Sequence, residues 1–421
     1  MANTLKFGNG TWATKKDSIL AYSDTNENYK PLPFSYTGAG KGTRVNKEGL
    51  IEVVENDRPR IDYTDSEDGV LLLEPASTNV FLYSNKFDTA WQGNYTVLTS
   101  GQIGVGGSTD AWLLSGFAGT SEKRIRQYPP SSGSYAVSVY AKAGTVDYLW
   151  LRGVTTSANR RTFFNLSTGQ VGLDGAVSSN MVDMGNGWYR CEAVFNQQSG
   201  FEFYIGLSDK ENAITSTTGN IYIQNAQAEI GNVASSYIPT QGSAQTRVQE
   251  TASGSGNSEV FNSQEGILMV ETKSDNDGTF NYISLSDGGT TNYAGILYTD
   301  NNNELAYRYY VGGSGVQIIA NGINVTNFNK IAIKWKVNDF AFWINGFEVG
   351  TASSGSLNPS GTFNELSFAR GGSNNTPFYG STKEISYYDK ILTDEELEYM
   401  TSYRTWESMV NELNLNVIYN G

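Results

Sequence analysis

The chain has 421 residues, and its 43 acidic residues against 29 basic ones give a formal net charge of −14. This balance argues against binding to nucleic acid or to anionic membranes, because clustered Lys and Arg residues make those contacts. The absence of histidine excludes Ser-His-Asp and Cys-His nucleophilic sites and zinc sites built on imidazole, so most enzyme classes are disfavoured.

Residues 1–80 open the chain without the pattern of an independent domain. The start, MANTLKFGNGTW, lacks the pattern of a signal peptide, and no apolar run approaches the roughly 20 residues that span a bilayer. We therefore expect a soluble protein that is made in the host cytoplasm. Short apolar runs mixed with turn-rich stretches are typical of an extended segment that docks on a partner. A chain that begins near Phe81 is predicted to fold without this attachment segment.

Regular strand patterns begin at about residue 81 and continue to residue 250. Short alternating runs such as YAVSVYA at residues 135–141 are separated by clusters of Gly, Ser, Asn or Asp. This spacing predicts a jelly-roll β-sandwich over residues 81–250. Its single cysteine, Cys191, lies in a strand pattern and is interpreted as a small buried side chain. Residues 251–258, rich in Gly and Ser, are predicted to be a linker.

A second β-sandwich is predicted over residues 259–392. Its clearest part is residues 330–351, where three alternating strands are joined by two tight turns. The buried face of the first strand is predicted to hold Ile331, Ile333, Trp335 and Val337. The pair Asn345-Gly346 is typical of a type I′ hairpin turn. A second sheet must cover the apolar face of these strands.

Helix is predicted only in a short C-terminal segment, residues 393–421. Thr393 and Glu396 have the spacing of a capping box, and the acidic residues between them suit the positive end of a helix. A second short helix is predicted over residues 406–413. The chain is therefore expected to be all-β, with two antiparallel β-sandwiches between an extended N-terminal segment and a short helical C-terminus.

Several segments resemble the fibre and related surface proteins of tailed bacteriophages, including crAss-like phages. They are RVNKEGLIEVVENDRPRIDY (residues 44–63), LLLEPASTNVFLYSNKF (71–87), GNGWYRC (185–191) and IQNAQAEIGNVASSYIPTQGSAQTR (223–247). Residues 266–402, which end in a strand and a Leu-Thr-x-x-Glu-Leu helix, are similar to concanavalin A-like, laminin G-type modules. The resemblance implies a virion surface component and leaves head and tail open.

Glycoside hydrolysis is the enzymatic alternative, because concanavalin A-like folds also host glycosidases. Their acid and nucleophile lie on one strand as Glu-x-Asp-x-x-Glu or a close variant, and no such run occurs here. Glu52 and Glu55 are close in sequence, but their spacing puts them on opposite faces of a strand. We therefore favour a non-enzymatic protein, with a phage-borne polysaccharide depolymerase, a hydrolase or a lyase, as the alternative.

Two oxygen-rich loops are candidate calcium sites, since laminin G-like modules often carry one such ion. Their carboxylates belong to Asp275, Asp277, Asp300 and Glu304. Both loops fall between predicted strands, where Asn, Asp and Gly also form Asx-turns, and turn chemistry is the favoured interpretation. No cofactor is predicted, and calcium is left open.

Sugar binding requires exposed aromatic rings beside groups that hydrogen-bond to hydroxyls. The candidates in the second sandwich are Tyr293, Tyr307, Arg308, Tyr309, Trp343 and Asn345. Trp150 and Arg152 are the candidates in the first sandwich. Core packing is the competing interpretation, because alternation leaves about half of a strand's aromatic residues outside.

These observations predict a virion structural protein, either a head or tail fibre or a capsid decoration, exposed on the virion surface. We expect a homo-oligomer, a dimer or a trimer, that contacts other virion proteins through residues 1–80. Host-surface glycans are an expected further partner, whereas nucleic acid and membranes are not. A lectin-like adhesin is the second alternative.

Overall fold

A computed structural model describes residues 5–23, 30–38, 40–128, 130–155, 158–198, 202–215, 218–372 and 376–413. The chain divides into two compact units. Unit 1 combines Met1–Ala39, Asn56–Pro75 and Gln249–Gly421, and unit 2 combines Gly40–Glu55 and Ala76–Val248. Neither helix among the described residues has the length and apolar character that crossing a membrane requires.

The strands of the described residues are numbered along the chain. Up to residue 171 they are β1 Leu5–Gly8, β2 Ala13–Lys15, β3 Ser18–Leu20, β4 Phe34–Thr37, β5 Thr43–Val45, β6 Ile51–Val53, β7 Arg60–Asp62, β8 Val70–Leu73, β9 Ser77–Asn79, β10 Gln92–Asn94, β11 Thr96–Gln102, β12 Ala111–Gly116, β13 Arg124–Gln127, β14 Gly133–Ala143, β15 Tyr148–Thr155, β16 Ala158–Asn165 and β17 Gln170–Val171. The later strands are β18 Ser178–Asp183, β19 Trp188–Gln197, β20 Phe203–Ser208, β21 Gly219–Ile230, β22 Gln245–Arg247, β23 Thr251–Ser253, β24 Glu265–Ser274, β25 Asn281–Ser286, β26 Tyr293–Tyr298, β27 Glu304–Val311, β28 Ser314–Asn321, β29 Asn329–Lys336, β30 Asp339–Ile344, β31 Phe347–Ala352, β32 Glu365–Ser367 and β33 Gly380–Tyr388.

Unit 1 is a β-sandwich of an eight-stranded and a five-stranded antiparallel sheet, with a smaller four-stranded sheet. The eight-stranded sheet has the order β31-β30-β29-β24-β33-β8-β7, with β1 paired to β33. The other two have the orders β28-β27-β26-β25-β32 and β2-β3-β4-β23. Alternation directs Leu268 and Trp335 of one large sheet, Ile296 of the other and Phe34 of the small sheet into one hydrophobic core.

Unit 2 is also an antiparallel β-sandwich. Its six-stranded sheet has the order β10-β13-β20-β15-β16-β17, and its eight-stranded sheet has the order β11-β12-β21-β14-β19-β18 with β9 and β22 alongside. Leu151 and Ile205 from the first sheet share a core with Val137 and Cys191 from the second. Burial raises the pKa of the Cys191 thiol, as expected for a structural cysteine. A separate hairpin joins β5 to β6.

The predicted all-β class with two sandwiches and short C-terminal helices is confirmed, as are two local predictions. Asn345 and Gly346 have φ values of 51° and 87°, as a type I′ turn requires. Helix α1, Asp394–Thr401, begins after a capping box formed by Thr393 and Glu396, and helix α2 is Trp406–Glu412. The remaining residues of the predicted helical segment, 414–421, lie outside the described residues.

The first strand of the predicted meander, β29, is buried on both faces, which differs from the prediction. Val337 is 58% exposed because β29 ends at Lys336 and Val337 lies in the following turn. The face predicted to be solvated holds Ala332, which packs with Leu397 of α1. Lys334 on that face is also buried, and its Nζ lies 2.8 Å from a carboxylate oxygen of Asp339.

Residues 1–80 and 251–258 are divided differently from the prediction. In unit 1, β1 and β8 pair with β33, and β4 pairs with β23 inside the predicted linker. In unit 2, β9 pairs with β21 and β22. Ala252 in the predicted linker is only 1% exposed. Local composition could not identify the partners of these short strands, because those partners lie far away along the chain.

A chain that begins at Phe81 is expected to lose the fold of unit 1, contrary to the prediction from sequence. It would lack the buried side chains of Leu5, Phe34 and Leu71 and the strands that carry them. Limited proteolysis of the shortened and full-length chains checks this, with rapid cleavage within residues 249–421 as the expected result. A protease-resistant unit 1 in the shortened chain would contradict it.

Candidate functional site

Strand alternation on β27 decides which predicted sugar-binding residues share a face. Tyr307 and Tyr309 are fully buried in the core of unit 1. Their hydroxyl groups donate hydrogen bonds to the carbonyl oxygens of Lys334, at 3.0 Å, and Ser263, at 2.6 Å. Arg308 lies between them and faces away from the core. Tyr307 and Tyr309 are therefore packing residues, and the prediction that they present rings to a sugar is wrong.

Five residues come together on the outer face of the five-stranded sheet of unit 1, which we call the arginine-tyrosine face. They are Tyr282, Tyr293, Arg308, Tyr310 and Arg370. Tyr293 on β26 is paired directly with Tyr310 on β27, and their ring centres lie 5.2 Å apart. The ring centre of Tyr282 on β25 lies 6.1 Å from that of Tyr293.

Arg308 is held across this face by two hydrogen bonds. Its Nη1 donates to the hydroxyl oxygen of Tyr282 at 2.7 Å, and its Nε donates to Oε1 of Gln317 at 3.0 Å. Its Cζ lies 5.7 Å from the ring centre of Tyr310. These contacts fix the plane of the guanidinium group while leaving the side chain half-buried.

Arg370 reaches the same rings from the loop after β32. Its Cζ lies 5.4 Å from the ring centre of Tyr293 and 5.7 Å from that of Tyr282. Its Nη2 donates to the carbonyl oxygen of Thr290 at 3.0 Å, whereas its Nε is buried without a hydrogen-bond partner within the described residues. Burial raises the pKa of Tyr293, so its hydroxyl stays neutral at physiological pH.

The arginine-tyrosine face carries positive charge that no acidic side chain of the described residues pairs with. Arg308 and Arg370 hydrogen-bond only to neutral groups in that part of the chain. Arginines elsewhere in the described residues do contact a glutamate, among them Arg44, Arg60, Arg124, Arg126, Arg152, Arg161 and Arg190. The face therefore combines two available cations with aromatic rings. The cations could bind a planar oxyanion, and the rings could contact apolar edges of the ligand that carries it.

Tyr282 and Arg370 were missed by the sequence interpretation. Tyr282 had a usable signal, because it alternates with the buried residues Ile283 and Leu285 and so must point outward. Arg370 lies in a loop with no periodic pattern, and only the folded chain brings it to the sheet.

Trp343 and Asn345 do not lie on the arginine-tyrosine face, although they were predicted with it. Trp343 is 6% exposed and packs with Leu397 of α1. The side chain of Asn345 links its hairpin turn to the neighbouring strand β29, because its Oδ1 accepts from the backbone N–H of Lys330 at 2.9 Å. Both residues therefore have structural roles.

The two candidate calcium loops are adjacent in unit 1. The backbone N–H of Asn303 donates to both carboxylate oxygens of Asp277, at 2.9 and 3.1 Å. Oε1 of Glu304 accepts from Oγ1 of Thr299 at 2.8 Å. Asp275 is half-buried and Asp300 is exposed. No group of three or more His, Cys, Asp or Glu side chains that could hold a metal ion occurs among the described residues. Calcium binding stays a prediction.

Two of the segments that resemble phage fibre proteins, residues 44–63 and 185–191, border a cleft of about 620 Å³ in unit 2. Residues lining it include Leu50, Ile103, Lys142, Met184, Trp188 and Tyr222. Trp188 is only 2% exposed and packs with Tyr140 and Tyr237. Its ring is therefore part of the packing beneath the β5-β6 hairpin and does not offer a sugar platform.

No protein-family model and no curated protein matches the chain. Among solved structures, the CBM40 module of the Ruminococcus gnavus IT-sialidase, bound to α2,3-sialyllactose, is 17% identical, with a TM-score of 0.31 over 36% of this chain and 94% of that module. Domain 4 of an extracellular arabinanase from Geobacillus stearothermophilus, in complex with arabinotriose, is 14% identical, with a TM-score of 0.30 over 37% and 73%. Domains LG4-5 of the mouse laminin alpha1 chain are 10% identical, with a TM-score of 0.25 over 75% and 89%. These neighbours are carbohydrate-binding and laminin G-like β-sandwich modules, and TM-scores this low establish no shared ligand or activity.

Proposed function

We propose that this chain is a non-enzymatic structural protein of a virion surface that binds acidic host-surface glycans through the arginine-tyrosine face. The observation that carries the glycan proposal is the pair of guanidinium groups, Arg308 and Arg370, held over tyrosine rings without an acidic partner among the described residues. Carboxylates are the natural partners of such groups, because the planar fork of a guanidinium donates two parallel hydrogen bonds to them.

An acidic sugar fits this face better than a neutral one. The whole chain carries a formal charge of −14, so its overall field repels acidic polymers and attraction must come from local contacts. At physiological salt that field is screened beyond about 8 Å, whereas direct contacts with a guanidinium persist. Tyr282 and Tyr293 are almost fully covered, so the ligand would contact mainly the guanidinium groups and the half-buried Tyr310.

The virion part of the proposal is supported by the sequence resemblance of residues 44–63, 71–87, 185–191 and 223–247 to phage fibre and surface proteins. A homo-oligomer, a dimer or a trimer, would carry several copies of the site. Binding through these weak sites at the same time would raise the overall avidity. Immunogold electron microscopy of purified virions tests the location and separates head from tail, and light scattering of the purified protein gives the oligomeric state. Absence of the protein from virions would refute this part.

Substituting Arg308 with glutamine is expected to weaken binding to an acidic oligosaccharide by about tenfold or more, because a charge-assisted hydrogen-bond donor is lost. Arg370→Gln should act in the same direction. A glycan array with matched acidic and neutral glycans identifies the ligand, and biolayer interferometry on the selected oligosaccharide measures the loss.

Arg404→Gln is the matched control for this experiment. Arg404 is an exposed arginine of unit 1 whose Cζ lies 3.4 Å from the ring centre of Tyr399, so the substitution removes the same charge from another tyrosine. It should leave binding unchanged. Equal losses for Arg404→Gln and Arg308→Gln, or no preference for acidic glycans on the array, would refute the proposed site.

Release of reducing sugar from capsule or cell-wall polysaccharide tests the non-enzymatic part. We expect no release above that of a heat-denatured sample. Steady release that depends on protein concentration would instead support the depolymerase alternative.

A further inference from the structure

Four arginines lie on the outer face of the six-stranded sheet of unit 2. In the strand register, Arg126 pairs with Tyr204, Tyr204 pairs with Arg152, and Arg152 pairs with Arg161. Arg124 lies two residues from Arg126 and therefore shares its side of the sheet. We call this group, Arg124, Arg126, Arg152 and Arg161, the four-arginine face.

Three guanidinium groups of this face, those of Arg124, Arg152 and Arg161, lie over aromatic rings. The Cζ atoms of Arg124 and Arg152 lie 4.2 and 4.5 Å from the ring centre of Tyr204. The Cζ of Arg161 lies 5.5 Å from the ring of Trp150. Gly206 makes room for that ring, since a Cβ there would lie 2.1 Å from Cε2 of Trp150. The aromatic layer thus holds the cations at the surface of a rigid sheet.

The ion pairs of this face leave positive charge in excess. Glu122 contacts three of the arginines, with 3.1 Å to Nε of Arg124, 3.3 Å to Nη1 of Arg152 and a short contact to Nη2 of Arg161. The fourth, Arg126, pairs with Glu202. Among the described residues, the carboxylates that form ion pairs with these four guanidinium groups are those of Glu122 and Glu202.

The surroundings of Arg152 lower the pKa of its guanidinium group. Burial lowers its pKa, and repulsion from Arg161 and Arg124 adds to the shift while Glu122 opposes it. An additional anion on this face would relieve the repulsion.

Two donors of the four-arginine face are also unsatisfied. Nη1 of Arg124 and Nε of Arg161 are buried and have no hydrogen-bond partner within the described residues. Buried polar groups are normally paired, so orphaned donors beside excess charge indicate a missing acceptor. The side chains of Arg126 and Arg161 are 31% and 19% exposed, which leaves the face open to a ligand.

From this geometry we infer that the four-arginine face is a second binding site, independent of the arginine-tyrosine face, for an oxyanion carried by a polysaccharide. The oxyanion, a carboxylate or a phosphate, would bind Arg124, Arg152 and Arg161 together with Glu122. Guanidinium groups bind both oxyanions bidentately, so the two sources must be separated by experiment.

Isothermal titration calorimetry tests this inference on the full chain carrying Arg308→Gln and Arg370→Gln, so that the face in unit 1 does not contribute. The probes are sodium glucuronate and inorganic phosphate, with glucose as the neutral probe. We expect heat from at least one oxyanion and none from glucose. Binding of glucuronate alone indicates a uronate-type source, binding of phosphate alone indicates a phosphate-bearing one, and both outcomes support the site.

Variants of Arg161 and Glu122 make the test specific to this face. Arg161→Gln should weaken oxyanion binding by about tenfold, whereas Glu122→Gln should tighten it by a similar factor because the internal competitor is removed. Arg44→Gln is the matched control, since Arg44 is another glutamate-paired arginine of unit 2 and lies on β5 instead of the six-stranded sheet. If Arg161→Gln does not fold, Arg126→Gln at the exposed rim takes its place.

A purely structural cluster would give a different pattern. The inference is overturned if neither oxyanion binds to the background chain or to its Glu122→Gln variant. It is equally overturned if Arg161→Gln and Arg44→Gln reduce binding to the same extent. Neither result would affect the proposal for the arginine-tyrosine face, which is measured with Arg308 and Arg370 intact.

Discussion

Replacing Trp335 with alanine is expected to lower the free energy of unfolding of unit 1 by about 3–5 kcal/mol, because it leaves a large cavity between the two main sheets. Trp335 is fully buried, and its Nε1 donates to the carbonyl oxygen of Asn262 at 3.1 Å. Its ring stacks on that of Tyr387 with centres 6.2 Å apart. Gly266 on the neighbouring strand makes room for it, since a Cβ there would lie 2.6 Å from Cζ2 of Trp335.

Urea unfolding, monitored by hydrogen-exchange mass spectrometry, measures this loss of stability for each unit separately. Trp406→Ala is the matched control, because Trp406 is 64% exposed in the same unit and its removal should change stability by about 0.5 kcal/mol or less. A loss below about 1 kcal/mol for Trp335→Ala would contradict its place in the core.

Replacing Arg60 with alanine is expected to destabilise unit 1 by about 3–5 kcal/mol, because two carboxylates would remain buried without their cation. Nη2 of Arg60 lies 2.7 Å from Glu74, and its Nε donates to Glu250 at 2.7 Å. The hydroxyl of Tyr36 also donates to Glu250, at 2.6 Å. All four residues are at most 6% exposed. This cluster joins β4 and β7 to the chain segments next to β8 and β23.

An exposed pair in the same unit provides the comparison. Lys336 and Glu265 lie 3.6 Å apart with side chains 43% and 30% exposed, so Lys336→Ala should cost about 1 kcal/mol or less. Adding Glu74→Gln and Glu250→Gln to Arg60→Ala should recover part of the loss, since the buried negative charges are removed. Equal costs for Arg60→Ala and Lys336→Ala would show that the cluster is not important for folding.

The features that the sequence predicted well are those whose causes lie within a few residues. The Asn345-Gly346 turn follows from the positive φ values that these two residues tolerate, and the helix start at Thr393 follows from its own capping box. The alternation over residues 331–335 was also sufficient to place Trp335 inside. Each of these depends on local backbone chemistry.

The features that the sequence did not predict depend on distant partners. β4 was not recognised as part of unit 1 because its partner, β23, lies more than 200 residues later, inside a stretch that resembles a linker. Burial of Ala332 and Trp343 required the docking of α1, which alternation on their own strands does not reveal. Gly and Ser composition cannot show that a backbone segment pairs with another strand.

The candidate site was predicted in part for the same reason. Tyr293 and Arg308 are on the arginine-tyrosine face, as alternation permits, but the same alternation should have separated Arg308 from Tyr307 and Tyr309. Arg370 comes from a loop, and its position depends on the folded chain.

The most direct test of glycan binding compares an acidic oligosaccharide with its carboxyl-reduced counterpart, for the wild-type chain and for Arg308→Gln. Carboxyl reduction is expected to weaken wild-type binding by about tenfold or more and to weaken binding of the variant less, because one of the two guanidinium contacts is already missing there. Equal effects of carboxyl reduction on the two proteins would show that Arg308 does not contact the acidic group, and would contradict binding of acidic glycans at the arginine-tyrosine face.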